Sequence, residues 1–468
     1  MTRKLIAVFV IMISTTGCHT SDSADADQRL AIDLIIEGDH VLTMAGPSIE
    51  NGAVAIDDGE ILAVAGADEI NDRFRADETL PGAGRIVMPG LVNGHTHAAM
   101  SLLRGIADDL ELMQWLNEFI FPAEVRFVDE EFVAVGTRLA CWEMIRGGTT
   151  SFVDMYYFPD AVAETVVDCG LRAVVVPSVI EQKSPDAQNG DQSLTQAEDF
   201  ARRWRDKHPR IIPAIGAHSV YTISEAGLAR IQSSAATLGV PVSIHVSESR
   251  AEIDATRAQY ERTPVELLHS LGYFNGPLIA AHMVYPTSDD IALLAKKRVG
   301  VVHNPTSNMK LASGVSPVDS MLDAGVLVGL GTDGAASNND LDMWEEIRLA
   351  SFLAKVTSDD PTALPAATVL EMATIGGARA IGLADSVGSL EPGKRADLIQ
   401  IDTSSLSQAP VYRPLSHLAY VADEHDVVTT VVDGQVLMRD RQVLTIDADV
   451  LRDDVDRISR RIADALVN

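Results

Sequence analysis

The chain has 468 residues, 46% of them hydrophobic, and is long enough to bury a large core and to form more than one domain. Its net charge is −30 at pH 7. Because nucleic acids and anionic membranes bind clusters of Lys and Arg, this charge argues against both as partners. It is typical of a solvated acidic surface and carries no information about catalysis.

The first residues have the layout of a secretory signal. A basic pair precedes the apolar run Leu5–Ile13, which is too short to span a bilayer as a mature helix. Cys18 follows small residues as in a bacterial lipoprotein cleavage site, although Thr15 stands where an aliphatic residue is usual. We expect a signal peptide over 1–17 and an exported protein anchored by lipid at Cys18, with a plain cleaved signal as the alternative. A polar tether over 18–30 follows.

Short β-like runs separated by turns occur at both ends of the chain. One group lies within residues 31–87 and the other within 388–444. Turn sequences such as Asp-Asp-Gly at 57–59 and Asp-Gly at 433–434 separate neighbouring runs, as in β-hairpins. We predict that the two ends form one composite β-sandwich.

Residues 88–387 repeat a different unit, a short apolar run followed by an amphipathic segment. One predicted helix begins after Ser224, an N-cap, and stops at Gly239. Eight β-then-α units predict a (β/α)8 barrel. The eight runs are Ile86–Val92, Thr149–Val153, Arg172–Pro177, Ile211–Ile215, Pro241–Ile244, Leu278–Ala281, Val299–Val302 and Val326–Leu330.

The tail over 445–468 is predicted to form a C-terminal helix that packs on the protein's own surface. Its apolar residues recur at helical spacing. They are Leu451, Val455, Ile458, Ile462 and Leu466.

Two cysteines remain beyond Cys18. Cys141 and Cys169 each lie within an apolar stretch, so we predict buried free thiols, with a disulfide as the alternative.

Histidines and acids follow the predicted barrel strands. Residues just past the C-terminal ends of barrel strands converge on one mouth. Six of the 12 histidines fall at such positions. Any one of them alone is better explained as a hydrogen-bonded core histidine, but together they predict a metal site. The strand-end residues are His95, His97, Asp154, His218, His245, His282, His303 and Asp333.

Four of these residues are the predicted metal ligands. His95 and His97 are two residues apart, and an extended backbone points both imidazoles to one side. His245 and Asp333 complete a set of three imidazoles and one carboxylate, which suits Zn²⁺, with Fe²⁺ or Mn²⁺ as alternatives. A metal in such a site acidifies water toward neutrality. Glu248, in the loop after His245, is placed to carry a proton to a leaving nitrogen, unless it is an ordinary solvated glutamate.

Five motifs resemble those of the amidohydrolase superfamily: PGLVNGHTH, HVSE, AAHMV, HNPTSNMKLASG and LGTDGAASNN. Within it, the chain is most similar to the methylthioadenosine/S-adenosylhomocysteine deaminase family, over about residues 31–440. The resemblance implies a metal-bearing (β/α)8 barrel with a flanking β-sandwich. It also implies hydrolytic deamination of an adenine nucleoside to the inosine analogue, with release of ammonia. Methylthioadenosine, 5′-deoxyadenosine, adenosine and S-adenosylhomocysteine are the candidate substrates.

The resemblance makes the same four residues the metal ligands. It implies a single metal, because no lysine follows the third strand, where binuclear relatives place a carboxylated one. Glu248 matches the proton carrier, and His282 the residue that orients the water and polarises the attacked carbon. Asp333 is expected to act with them in catalysis.

Substrate contacts are also implied by the resemblance. Glu124 matches a glutamate that contacts the substrate ribose, and His218 and Trp115 match further substrate contacts. The alternatives are a helix-surface acid for Glu124 and a packed aromatic for Trp115.

One departure from the family concerns arginine. Members that bind a substrate's amino-acid carboxylate use arginines between the third barrel strand and the His218 motif. Here no arginine lies between Arg172 and Arg202, and Lys183 is the only cation of the loop 181–191. We therefore expect S-adenosylhomocysteine to be a poorer substrate than smaller adenosines.

Other functions stay open at this point. The same metal and glutamate would serve hydrolysis at another amino- or halogen-bearing heterocycle, such as guanine, a pterin or a triazine. An exported binding protein without catalysis would lack a ligand or the proton carrier, and none is missing. A homo-oligomer is also possible, since a neighbouring subunit's arginine would supply the charge that the loop lacks.

Overall fold

The computed structural model describes residues 29–467. The predicted signal, Cys18 and the tether up to residue 28 lie outside these residues. The first strand begins at Leu30, the last position assigned to the tether. Within the described range, no helix is both long and apolar enough to cross a membrane.

Within residues 29–467, eighteen strands form two sheets. They are β1 (Leu30–Val41), β2 (Ile49–Asp57), β3 (Glu60–Gly66), β4 (Phe74–Leu80), β5 (Arg85–Pro89), β6 (Leu91–Thr96), β7 (Thr149–Tyr156), β8 (Arg172–Val179), β9 (Ile211–Pro213), β10 (Ile215–Ser219), β11 (Val242–Val246), β12 (Leu278–His282), β13 (Gly300–His303), β14 (Leu327–Leu330), β15 (Leu398–Asp402), β16 (Val427–Val432), β17 (Gln435–Arg439) and β18 (Gln442–Val443).

Helices connect and flank these strands. The α-helices are α1 (Ala67–Arg73), α2 (Leu112–Gln114), α3 (Phe121–Phe127), α4 (Glu130–Gly147), α5 (Pro159–Cys169), α6 (Gly190–Trp204), α7 (Glu225–Leu238), α8 (Arg250–Tyr260), α9 (Pro264–Ser270), α10 (Ser288–Lys297), α11 (Pro305–Lys310), α12 (Val318–Asp323), α13 (Met343–Ser358), α14 (Ala366–Met372), α15 (Ile375–Ala380), α16 (Pro414–Tyr420) and α17 (Ala448–Val467). A π-helix spans Trp115–Ile120, and short 3-10 helices span Ala98–Leu103, Tyr273–Asn275, Leu406–Gln408 and Glu424–Asp426.

The first sheet joins both ends of the chain, as predicted. Its strand order is β18-β17-β16-β15-β5-β1-β2-β3, with β4 also paired to β1. The junction between the two ends is the antiparallel pairing of β5 with β15. Apolar side chains from seven of its strands, such as Leu34, Val54 and Leu398, share one buried core. This shared core is what makes the two distant segments one unit.

The second sheet is the predicted barrel. Eight parallel strands follow the order β6-β7-β8-β10-β11-β12-β13-β14, and the short β9 pairs with β8. Helix α7 begins and ends at capping residues. The Ser224 side chain accepts a hydrogen bond from the Gly227 amide at its start, and Gly239 ends the helix at φ 65°. Both caps were predicted.

Contacts between the ends of β6 and β14 bring the two edges of the barrel together. The Asn93 side chain donates to Thr332 Oγ1 at 2.7 Å and accepts from the Thr332 amide at 3.1 Å. The Asp333 amide donates to the His95 carbonyl at 3.0 Å. At Gly331 a Cβ atom would lie 2.8 Å from the backbone nitrogen of His95, so only glycine permits the two strand ends to approach this closely. The closure therefore places two predicted metal ligands side by side.

The apolar run Ile86–Val92, predicted as one barrel strand, is two strands in different sheets. Gly90 is the junction: its amide bonds to the Asp397 carbonyl of the first sheet, and the next amide bonds to Gly148 of the barrel. A Cβ at Gly90 would lie 2.1 Å from the Thr150 side chain, so the chain changes sheets where it has no side chain. The run Ile211–Ile215 is likewise divided, into β9 and β10.

The remaining predictions concern the tail and the cysteines. Helix α17 buries Leu451, Ile458 and Ile462 against the main core, as expected for a helix on the protein's own surface. Cys141 and Cys169 are both buried free thiols.

Candidate metal centre and active-site cavity

Four side chains from three separate parts of the barrel mouth form one cluster. The ligand atoms of His95, His97, His245 and Asp333 all lie within 4.8 Å of one another. Asp333 Oδ1 is 3.4 Å from His95 Nε2 and 3.2 Å from His97 Nε2. These are the four residues predicted as ligands.

Backbone carbonyls orient two of the imidazoles. His97 Nδ1 lies 2.5 Å from the Met155 carbonyl, and His245 Nδ1 lies 2.6 Å from the His218 carbonyl. A carbonyl only accepts, so in each ring Nδ1 carries a proton and Nε2 is the nitrogen left to bind a metal. The two Nε2 atoms face each other at 3.3 Å. Both are thus placed to bind the same cation.

His95 supplies the clearest test of whether a metal fits. Its ring is fully buried, and neither ring nitrogen has a hydrogen-bond partner among the described residues. Buried polar atoms without a partner are costly and rare in native proteins. A metal at the cluster would satisfy His95 Nε2, and the nitrogen and carboxylate donors are those that divalent transition metals prefer. The residues present therefore fit a metal ion.

Asp333 is held by two hydroxyl groups on its other oxygen. Oδ2 accepts hydrogen bonds from Ser307 at 2.6 Å and Ser337 at 2.9 Å, and Oδ1 faces the histidines. Burial alone would raise the pKa of Asp333, but its close contacts with the His95 and His97 rings together lower it well below its usual range. The carboxylate is therefore ionised and ready to bind a cation.

Burial sets the protonation of the imidazoles. It lowers the pKa of His95 to about 4 and that of His245 well below its usual range, so both rings are neutral at pH 7. For His97, burial also lowers the pKa, but the hydrogen bonds with Asp333 and the Met155 carbonyl and the charges of Asp333 and Asp154 together outweigh it and raise the pKa to about 9. A metal ligand must be unprotonated, so metal binding releases the His97 proton.

Glu248 and His282 lie beside the metal cluster. Glu248 is buried, and desolvation raises the pKa of its carboxyl group. Its Oε1 lies 3.8 Å from His282 Nε2. His282 Nδ1 donates to Asn308 Oδ1 at 2.9 Å, which leaves Nε2 unprotonated and directed toward Glu248. A carboxyl group of raised pKa beside a basic imidazole is suited to proton transfer.

One cavity is lined by all of these groups except His95: His97, His245, Asp333, Glu248 and His282. Glu124, His218 and Trp115 all line it, so the predicted substrate contacts share one space with the metal cluster. Burial raises the pKa of Glu124 to about 7, although a hydrogen bond from Tyr157 at 3.4 Å lowers it. The Trp115 indole N–H is buried without a partner among residues 29–467. The roles of these three residues stay predictions.

Besides His95, two strand-end residues are outside the cavity lining. Asp154 accepts a hydrogen bond from the Ala98 amide at 2.6 Å and so holds the chain just after His97. Burial lowers the pKa of His303 to about 3, and the ring belongs to the core. Neither residue contributes an atom to the metal cluster.

The cavity wall lacks the long cationic side chains that pair with a carboxylate. Among its lining residues, described in full, there is neither lysine nor arginine. Lys183, the one cation of the loop 181–191, is exposed and is not part of the wall. Apolar side chains provide much of the lining instead: Met100, Leu112, Leu116, Ile120, Phe121 and Leu311.

Two buried glutamates support the site and were missing from the sequence analysis. Glu346, at the start of α13, accepts hydrogen bonds from the Thr306 amide at 3.1 Å and from Asn338 Nδ2 at 2.6 Å. These partners adjoin the two serines that bind Asp333. Glu252, at the start of α8, accepts from the backbone next to Glu248. Both read as ordinary helix-surface acids, because nothing in their local sequence signals burial.

The chain matches the family model for the amidohydrolase family over residues 86–437. It is 44% identical over 434 residues to the 5-methylthioadenosine/S-adenosylhomocysteine deaminase of Desulforudis audaxviator, covering 92% of this chain and 100% of that protein. It is 45% identical over 419 residues to the 5′-deoxyadenosine deaminase of Methanosarcina acetivorans, covering 89% of this chain and 95% of that one.

A solved structure agrees with these relatives. The adenosine deaminase of Xanthomonas campestris with bound zinc superposes with a TM-score of 0.91 at 41% identity, covering 93% of this chain and 99% of that chain. The family match over residues 86–437 includes all four residues of the metal cluster. The chain therefore belongs to the amidohydrolase family and, within it, to the methylthioadenosine/S-adenosylhomocysteine deaminases.

Proposed function

We propose that this protein is a zinc-dependent deaminase of adenine nucleosides whose 5′ group is small and uncharged. One observation carries the proposal: three of the four residues of the metal cluster line a single cavity together with Glu248, His282 and Glu124. Relatives that act on methylthioadenosine, S-adenosylhomocysteine and 5′-deoxyadenosine support it.

The donor set and the zinc of the Xanthomonas campestris relative support one zinc ion per chain. His95, His97, His245 and Asp333 would hold it. When bound, a divalent metal in such a site lowers the pKa of water and so supplies a nucleophile at neutral pH.

The chain's own residues then manage the protons. Deamination forms a bond from the water oxygen to C6 of the adenine and breaks the C6–N bond. One water proton ends on the ring nitrogen and the other on the departing ammonia. Glu248 carries these protons, since its raised pKa lets it accept and then release them near neutral pH. His282, fixed by Asn308, orients the water with its free Nε2.

The cavity wall supports the choice of substrate. Glu124 is the one buried carboxylate of the wall apart from the catalytic groups, and it suits the two hydroxyl groups of a ribose. The apolar side chains near it suit a methylthio or methyl group. An amino-acid carboxylate would find no cation in the wall.

The test is an ammonia-release assay on the purified protein with a panel of nucleosides and bases. Methylthioadenosine, 5′-deoxyadenosine or adenosine should be converted to the inosine analogue with a spectral change at the purine. Guanine and a triazine serve as controls. Turnover of a control without turnover of any adenosine would overturn the proposal.

We also propose that the protein is exported and anchored by lipid at Cys18. The arrangement of a basic pair, Leu5–Ile13 and a cysteine after small residues supports this. The wild type should be found in the membrane fraction, and Cys18→Ser should release active protein. Wild type that is fully soluble after cleavage of its signal contradicts the lipid anchor.

A further inference from the structure

Glu252 is a buried acid that does not line the cavity. It is 2% exposed and lies in the first turn of α8, immediately after the loop that carries Glu248. The Ser249 hydroxyl accepts a hydrogen bond from the Glu252 backbone amide at 3.2 Å and so caps the start of α8.

The Glu252 carboxylate binds two successive backbone amides. Oε1 accepts from the Ser247 amide at 2.9 Å, and Oε2 accepts from the Glu248 amide at 2.7 Å. Ser247 has φ 53°, a left-handed conformation that a serine adopts only when its surroundings enforce it. The two charge-assisted hydrogen bonds provide that enforcement.

Burying the Glu252 carboxyl group at this turn costs free energy of desolvation. Burial raises the pKa of Glu252 and so disfavours the charged form, whereas the hydrogen bonds that both oxygens accept from the Glu248 and Ser247 amides favour the carboxylate. A water-filled turn would satisfy the same two amides without a buried carboxyl group. The carboxylate therefore supplies the fixed geometry of the turn rather than its solvation.

We propose that Glu252 is a positioning residue for deamination, which fixes the backbone at residues 247–248 so that the Glu248 carboxylate stays beside His282 and the metal cluster. This rests on the proposed role of Glu248 as proton carrier. Glu252 touches neither substrate nor metal and acts only through Glu248. A misplacement of about 1 Å in a reacting group is enough to cost on the order of 10²-fold in rate.

The variant Glu252→Gln tests this in the metal-loaded enzyme. The glutamine carbonyl oxygen still accepts a hydrogen bond from one of the two backbone amides, but the NH₂ group is a donor and faces the N–H of the other. The turn should therefore shift, although the side-chain volume is unchanged. We expect kcat to fall about 10- to 100-fold, with KM within about threefold and metal content unchanged. Glu252→Asp, too short to reach both amides, should show the same split. Unchanged kcat with only a lower Tm in both variants would overturn the proposal.

Glu266→Gln is the matched control. Glu266 occupies the same place in the first turn of α9, where it accepts the Thr263 amide at 2.8 Å away from the cavity. This variant should lose some stability and keep kcat.

A double variant separates positioning from general support. If Glu252 acts through Glu248, then Glu252→Gln should have no further effect on kcat in a Glu248→Gln background. An additional loss there equal to that in the wild type would assign Glu252 a role independent of Glu248 and overturn the inference. If Glu248→Gln alone keeps its activity, the proposed function of Glu248 fails instead.

Discussion

The metal cluster and the apolar wall of the cavity are built in different ways. The cluster combines side chains from the ends of β6 and β11 and from the turn after β14, held by the register of the barrel. The apolar wall comes mostly from one continuous segment, residues 98–121, which has short 3-10 and π-helical turns. Its members are Met100, Leu112, Leu116, Ile120 and Phe121, together with Leu311.

This difference separates chemistry from selectivity. Moving a metal ligand requires a change in a barrel strand and its neighbours. The wall segment contains no strand of the barrel, so its side chains can differ without a change in strand register. We infer that the reaction type is encoded by the strand ends and the substrate tail by the wall.

The largest effect should follow removal of the metal. Extraction with a chelator should reduce turnover to the assay background, because water loses its activation. Zinc should restore turnover at about one equivalent per chain, measured by elemental analysis. Two equivalents, both needed for activity, would contradict the single site.

Glu248→Gln should give the next largest effect. The substitution keeps volume and hydrogen bonding but removes the proton carrier, so kcat should fall about 10²- to 10⁴-fold. Metal content and Tm should not change. A variant within about threefold of wild type would assign the proton transfer elsewhere, with His282 the next candidate.

Glu124→Gln should act on substrate binding. A charge-assisted hydrogen bond contributes about 1.5–3 kcal/mol, so we expect KM for methylthioadenosine to rise by roughly one to two powers of ten. Because burial raises the pKa of Glu124 to about 7, the carboxylate forms as pH rises through 7, and 1/KM of the wild type should increase over that interval.

The Gln variant should lose this pH dependence. Glu118→Gln is the control: Glu118 is exposed in the neighbouring π-helix, and its removal should leave both KM and its pH profile as in the wild type. A persistent inflection in Glu124→Gln would place the titrating group elsewhere.

The comparison of substrates should show an effect of similar size to that of Glu124→Gln, and it tests the wall. S-adenosylhomocysteine should have a kcat/KM about one to two powers of ten below that of methylthioadenosine, because its carboxylate lacks a charge-assisted partner. Lys183→Ala should not alter this ratio, since Lys183 is exposed and outside the cavity. A tenfold preference for S-adenosylhomocysteine, abolished in that variant, would reverse our description of the wall.

The sequence was sufficient for the barrel, the composite sheet and the metal cluster. Short apolar runs followed by His or Asp have a strong periodic signal, and parallel strands bring their ends together. The division of Ile86–Val92 was not predictable, because both halves are equally apolar and the switch at Gly90 depends on pairing with residues far along the chain.

The burial of two glutamates was also not predicted from the sequence. Glu252 and Glu346 have the polar neighbours of surface residues, and their partners are backbone amides or side chains of other loops. Hydropathy ranks both as exposed. Only the three-dimensional arrangement shows that each holds a loop of the active site.

The junction of the two chain ends has a consequence for synthesis. Strand β5 pairs with β1 at only two positions but with β15 at five, and it leads directly into the strand that carries His95. Strand β15 is made about 300 residues later, roughly 15–60 s at about 5–20 residues per second. During that interval a nascent chain exposes one edge of β5, and unpaired edges invite aggregation. Ribosome-bound chains that stop before Leu398 should therefore require a chaperone and should not retain zinc.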